Sequence, residues 1–163
     1  MGYTHYWGFK NNVAPKDIEG GAEKFANAAN TIRKAIEKVN AMGIKIGNGI
    51  GENSPIITDT DICFNGWAKD NLDRETFSVS LNDGYEDFCK TYKKPYDLAV
   101  CLSLLAFKEY FGDDFEYKSD GITKEAYENR DKNEYWKQIG FVPNGPEEEW
   151  LKAYEVWEAM KTE

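Results

Sequence analysis

The 163-residue chain has the length of one domain, and its 41% hydrophobic content can build a core, which excludes a disordered tail or a disulfide-stapled miniprotein. A net charge of −9 and a pI near 4.8 set it against binding duplex nucleic acid. No apolar run approaches the roughly 20 residues of a bilayer span and no basic, then apolar leader opens the chain, so no membrane partner and a cytoplasmic location are expected.

Taken in chain order, Tyr3 to Phe9 is rich in β-favouring aromatics and reads as a strand. Alternation puts Tyr3, His5, Trp7 and Phe9 on one face and Thr4 and Tyr6 on the other. A long helix over 18–42 follows, because Phe25, Ala29, Ile32, Ile36 and Val39 recur at helical spacing and Gly43 suits a left-handed cap. A short strand at 44–46 leads into the glycine loop 47–51. Strands are then expected at 61–65 and 76–81, joined as a hairpin with a long connection.

A second helix starts near Pro95 and is apolar over most of its circumference, which makes it the central buried helix; Gly112 ends it. A strand at 115–118, a turn at 119–121 and a polar helix over 123–139 come next. The last helix opens at Pro146, with Glu147, Glu148 and Glu149 where the helix dipole favours carboxylates. These elements predict an α+β fold, a small and mainly antiparallel sheet packed on two core helices. One domain is expected over 1–163, with 121–163 as a helical, acidic C-terminal appendage. From Gly112 onward 14 acidic side chains face 7 basic ones.

The only histidine, His5, sits among aromatics on the first strand, where it can act as a base, a ligand donor or a satisfied histidine at a sheet edge. The loop 47–51 lacks the spacing of a nucleotide fingerprint and a phosphate-binding lysine, and reads as a mobile loop or a β-bulge. More informative is the stretch 88–97, which sets Lys90, Lys93 and Lys94 beside Thr91, Tyr92 and Tyr96 immediately before the buried helix. Free N–H groups at a helix start, with lysines beside them, can hold an anion, and interleaved rings can stack a nucleobase. Cys63, Cys89 and Cys101 read as free or buried thiols of a reducing compartment. With one histidine and no CxxC, no metal set and no cofactor are expected.

The chain contains the strings Gly2-Tyr3-Thr4-His5-Tyr6-Trp7, Ile62-Cys63-Phe64-Asn65-Gly66, Glu75-Thr76-Phe77, Phe88-Cys89-Lys90-Thr91, Lys94-Pro95-Tyr96-Asp97, Phe111 to Phe115 and Ser119-Asp120-Gly121. Together they resemble a family of small, uncharacterised bacteriophage and prophage proteins. The resemblance covers roughly positions 2–121 and implies a phage gene product working in the bacterial cytoplasm. It also gathers a residue set that one site would draw on: Tyr3, His5, Trp7, Asn65, Glu75, Phe77, Lys90, Thr91, Tyr96, Asp97 and Asp120, to which Lys93 is added by its charge.

The leading expectation is a binding protein for a small, anionic, aromatic ligand, a nucleotide or nucleotide-derived signal, which a phage would use to sequester a host defence messenger. In it Tyr3, His5, Trp7 and Phe77 stack the ligand. Lys90, Lys93, Thr91 and the helix start at Tyr96 hold phosphate, and Asn65, Glu75 or Asp97 read polar edges. One alternative is an acidic module that inhibits a host protein through the aromatic face of the last helix. A second is a phosphodiesterase or nucleotide hydrolase using His5 with Asp97 or Asp120.

Overall fold

The computed structural model describes residues 3–163; Gly2, which opens the first resemblance block, lies outside them. Seven strands are present: β1 (Thr4–Phe9), β2 (Ile46–Gly47), β3 (Ile56–Ile57), β4 (Asp61–Gly66), β5 (Phe77–Ser80), β6 (Asp87–Lys90) and β7 (Phe115–Ser119). The helices are α1 (Gly21–Ala41), α2 (Asp97–Phe111), α3 (Lys124–Glu128), α4 (Glu134–Ile139) and α5 (Glu148–Lys161). The fold is α+β, and every strand pair is antiparallel.

The strands form two sheets rather than one. In the first, β1 is the central strand between β6 and β7, with Tyr6 opposite Phe88 on one side and Lys118 on the other. In the second, β4 is the hub, pairing with β2, β3 and β5. The expected hairpin is there, with Phe64 opposite Phe77. The inner faces meet through Trp7, whose ring lies 4.7 Å from that of Phe77.

Alternation along β1 holds except at Thr4: Tyr3, His5, Trp7 and Phe9 are buried and Tyr6 is 45% exposed, but Thr4, expected beside Tyr6, is buried too. Phe9 meets Phe107, Phe111 and Phe115 edge to face, and this ring cluster ties β1 to α2 and β7. Helix α1 lays its apolar stripe, widened by Ala28 and Ala35, along α2. It starts three residues later than its periodicity predicts, because Pro15–Asp17 form a separate 3₁₀ turn. Gly43 takes φ 87° beyond its end, a conformation that costs glycine little. In α2 every residue from Asp97 to Phe107 is buried, so this is the central helix.

The last third departs further from expectation. The stretch 123–139 is not one helix, because Thr123 and Asn133 each cap a new one by accepting from Ala126 N and Trp136 N. Nor is α5 an appendage: Trp150, Ala153 and Trp157 belong to the main core. Among the described residues no helix is long and apolar enough to cross a membrane.

Candidate functional site

The pairing of β6 with β1 brings the chain's polar blocks together. Thr4 stands opposite Lys90, so the chain leaving β6 passes Thr91 close to the start of β1. It reverses through Tyr92 and Lys93, both left-handed at φ 54° and 58°, and enters α2 at Asp97. That path puts the Asp97 carboxylate against His5: the imidazole Nε2–H donates to Oδ1 at 2.6 Å, and the Thr91 hydroxyl donates to the same oxygen at 2.5 Å. One turn on, Cys101 shares Asp97's helix face, its Sγ 3.6 Å from Asp97 Oδ2 and 3.8 Å from His5 Nε2. His5 and Cys101 have no exposed surface and Asp97 almost none. The helix dipole favours a carboxylate in this first turn. Burial pushes the Cys101 thiol well up from its ordinary value, and the Asp97 carboxylate pushes the same way.

Around this centre the other expected residues act as braces. Glu75 Oε1 accepts from Lys90 N at 2.8 Å, and its backbone carbonyl accepts from the Tyr96 hydroxyl at 2.7 Å. Cys89 packs beside them, its thiol pushed up to about 12 chiefly by burial. The Asn65 amide accepts from Arg74 N and donates to Arg74 O and Gly49 O, clamping the long β4–β5 connection. Asp120 Oδ2 accepts from Thr4 N at 3.0 Å. The Lys93 ammonium lies 5.0 Å over the Tyr3 ring and 3.5 Å from Glu149 on α5. Gly121 lets the chain pass under Tyr3, where a Cβ would stand 2.0 Å from the phenol oxygen. Burial pushes that phenol's pKa up.

His5, Thr91 and Asp97 therefore converge, but in a sealed interior. Trp7 and Phe77 pack against one another at a tilt in the core and are both buried. Tyr3, His5, Asn65, Thr91, Tyr96 and Asp97 are buried and committed to the packing and bonds just given, whereas Glu75, Lys90, Lys93 and Asp120 reach solvent. His5 is on the central strand, not at a sheet edge. At the start of α2 the N–H groups of Asp97 and Leu98 donate to Lys94 O and Pro95 O, and the Asp97 carboxylate in the first turn is buried against His5 and Thr91. The glycine loop is closed by Asn48, whose side chain accepts from Ile50 N and Glu52 N.

An open face exists elsewhere, on the solvent side of the first sheet. A groove of about 750 Å³ runs across it. One end of it is a row across three strands: Phe88 (50% exposed), Tyr6 (45% exposed) and Lys118, with the two rings 6.4 Å apart. Lys90 is two residues from Phe88 on the same face of β6. The neighbouring row has Gly8 at its centre with Glu116 opposite, and Glu86 lies over Gly8, where a Cβ would meet its Cγ at 2.9 Å. Sequence reasoning missed this row. Alternation does place Tyr6 on the outer face, but Phe88 joins it only once Asp87–Lys90 is known to be a strand.

No protein-family model matches the chain, and neither a curated protein nor a solved structure matches it.

Proposed function

We propose that the protein binds a flat aromatic ligand carrying negative charge, a nucleotide or nucleotide-derived signal, on the open face of the β6–β1–β7 sheet. The carrying observation is the Phe88–Tyr6–Lys118 row, two half-exposed rings beside an ammonium group. A base stacked on exposed aromatics gains about 1–3 kcal/mol per ring, and Lys90 and Lys118 flank the rings where charged groups of the ligand extend. Glu86 and Glu116 in the next row are acceptors for an exocyclic amino group. Binding without turnover is favoured over hydrolysis because His5, Asp97 and Cys101 have no solvent contact from which to reach a substrate. In a phage protein such binding would sequester a messenger in the host cell.

The test is calorimetric titration of the purified chain with a panel of mono-, di- and cyclic nucleotides. Tyr6→Ala and Phe88→Ala should each weaken the bound member about 10-fold or more while the melting temperature stays put. Failure of every nucleotide to bind would remove this reading.

A second reading, docking to a host protein, is carried by Tyr135, Ile139, Phe141 and Val142, which lie exposed on α4 and the chain just after it. It cannot use the aromatic face of α5, since Trp150 and Trp157 are spent on the core. Capture of one defined host polypeptide, lost in an Ile139→Asp/Val142→Asp variant, would favour it.

A further inference from the structure

The interior cluster points to a second property, independent of the sheet face. The geometry points to His5, Asp97 and Cys101 as a site for one divalent metal ion of borderline softness, such as zinc or cobalt(II). Their ligand atoms, Nε2, a carboxylate oxygen and Sγ, lie within 4.8 Å of one another and come from two elements of the rigid core. In a tetrahedral site with bonds of about 2.0–2.3 Å, sulfur stands roughly 3.5 Å from its neighbouring ligand atoms. Here the sulfur lies 3.8 Å from Nε2 and 3.6 Å from Oδ2. With Oδ2 as the ligand oxygen, the 2.6 Å hydrogen bond from His5 Nε2 to Oδ1 must break so that the Nε2 lone pair turns to the ion.

Charge and protons balance. A thiolate and a carboxylate neutralise a divalent ion, so the loaded site is neutral, which burial favours over a charged one. The Cys101 thiol gives up its proton to solvent, and a metal-bound thiol is deprotonated outright. The His5 proton leaves Nε2 and Nδ1 carries it instead. Nδ1 is buried and has no hydrogen-bond partner among the described residues, so no existing bond opposes that tautomer. The Thr91 hydroxyl, bonded to Asp97 Oδ1, holds the carboxylate in orientation as supporting groups at metal sites do. A nitrogen, oxygen and sulfur set excludes magnesium and calcium, which take oxygen ligands. Trp150 packs edge to face on the His5 ring and closes the cluster from the α5 side, so the ion enters during folding.

The experiment is to refold the full chain with cobalt(II), remove excess ion, and record metal content, electronic spectrum and X-ray absorption. The expected result is one cobalt per chain, one sulfur in its coordination sphere, and a thiolate-to-cobalt charge-transfer band. That band should vanish in Cys101→Ser and persist in Cys63→Ser and Cys89→Ser. A refolded wild-type chain that retains no cobalt overturns the proposal. So does a sulfur-free coordination sphere, which needs no variant to fold, or a band that survives in Cys101→Ser.

Discussion

His5 and Asp97, 92 residues apart in sequence, meet through a 2.6 Å hydrogen bond with both side chains inside the protein. The bond joins the central strand of the first sheet to the first turn of the central helix, so it fixes the register of two core elements. Asp97→Ala would leave the His5 N–H and the Thr91 hydroxyl buried without their acceptor. A buried polar group left without its partner costs about 1–3 kcal/mol, so the two together cost about 2–6 kcal/mol. Urea unfolding of the metal-free protein should show a loss of that size, and a loss below 1 kcal/mol would mean that water replaces the carboxylate.

Trp150 is the corresponding anchor for the C-terminal segment. It is fully buried, donates its indole N–H to Ser119 Oγ at 3.0 Å, and packs on His5 and Tyr117. Trp150→Ala should destabilise the whole chain by about 3–5 kcal/mol, the usual cost of emptying a large core site. A separate, early loss of α5 with the remainder intact would contradict the single core described above. Far- and near-ultraviolet circular dichroism followed through one melt distinguishes the two.

How far this was legible in the sequence depends on whether a signal was local. The β1 alternation, the α1 stripe and the Phe64–Phe77 hairpin follow from side-chain period, which a single segment carries. Strand β6 did not announce itself, because four residues with two charges at their ends read equally well as a turn. Without β6 the partners of β1 were unknown, and so were the division into two sheets and the Tyr6–Phe88 row. Of the polar residues in the resemblance blocks, His5, Thr91 and Asp97 meet in one cluster. Their burial was invisible, since Trp7 and Phe77 alternate identically whether the face they share meets a ligand or the opposite sheet. The breaks at Asn129 and Asn133 had a local signal, the capping chemistry of asparagine, which the polar periodicity of 123–139 masked.

Alkaline stability should fall through two tyrosines at the α5 seam. Burial raises the phenol pKa of Tyr117 and of Tyr154, whose oxygen accepts from Lys124 N at 2.8 Å. A raised folded-state pKa means that the unfolded chain loses its phenol protons first. The stabilising contribution is thus complete below the ordinary phenol value near 10 and is lost as pH rises through and above it. Tyr154→Phe should flatten the decline in melting temperature between about pH 9 and 11. An unchanged slope would place the loss elsewhere.

The thiols should differ sharply in reactivity. Burial raises the pKa of all three thiols, but Cys63 is partly exposed, whereas Cys89 and Cys101 are fully buried. Alkylation of the native metal-free protein at pH 8 should mark Cys63 alone, with the other two reacting only after denaturation. Mass mapping of Cys89 in native protein would show that the β6–β1 pairing opens.

Charge on the sheet face gives the sharpest separation between stacking and anion recognition. Lys118 lies opposite Tyr6 and is exposed, so Lys118→Glu leaves the core untouched and should leave the melting temperature unchanged. If the ligand's negative groups extend past Tyr6 toward β7, reversal weakens binding about 10-fold, or ~1.4 kcal/mol, and flattens its dependence on salt. An uncharged analogue with the same ring, such as the nucleoside, should bind both forms alike, because stacking on Tyr6 and Phe88 is retained. Equal loss for nucleoside and nucleotide would mean that Lys118 shapes the groove rather than reads charge, and the anion contact would then fall to Lys90 on the opposite strand.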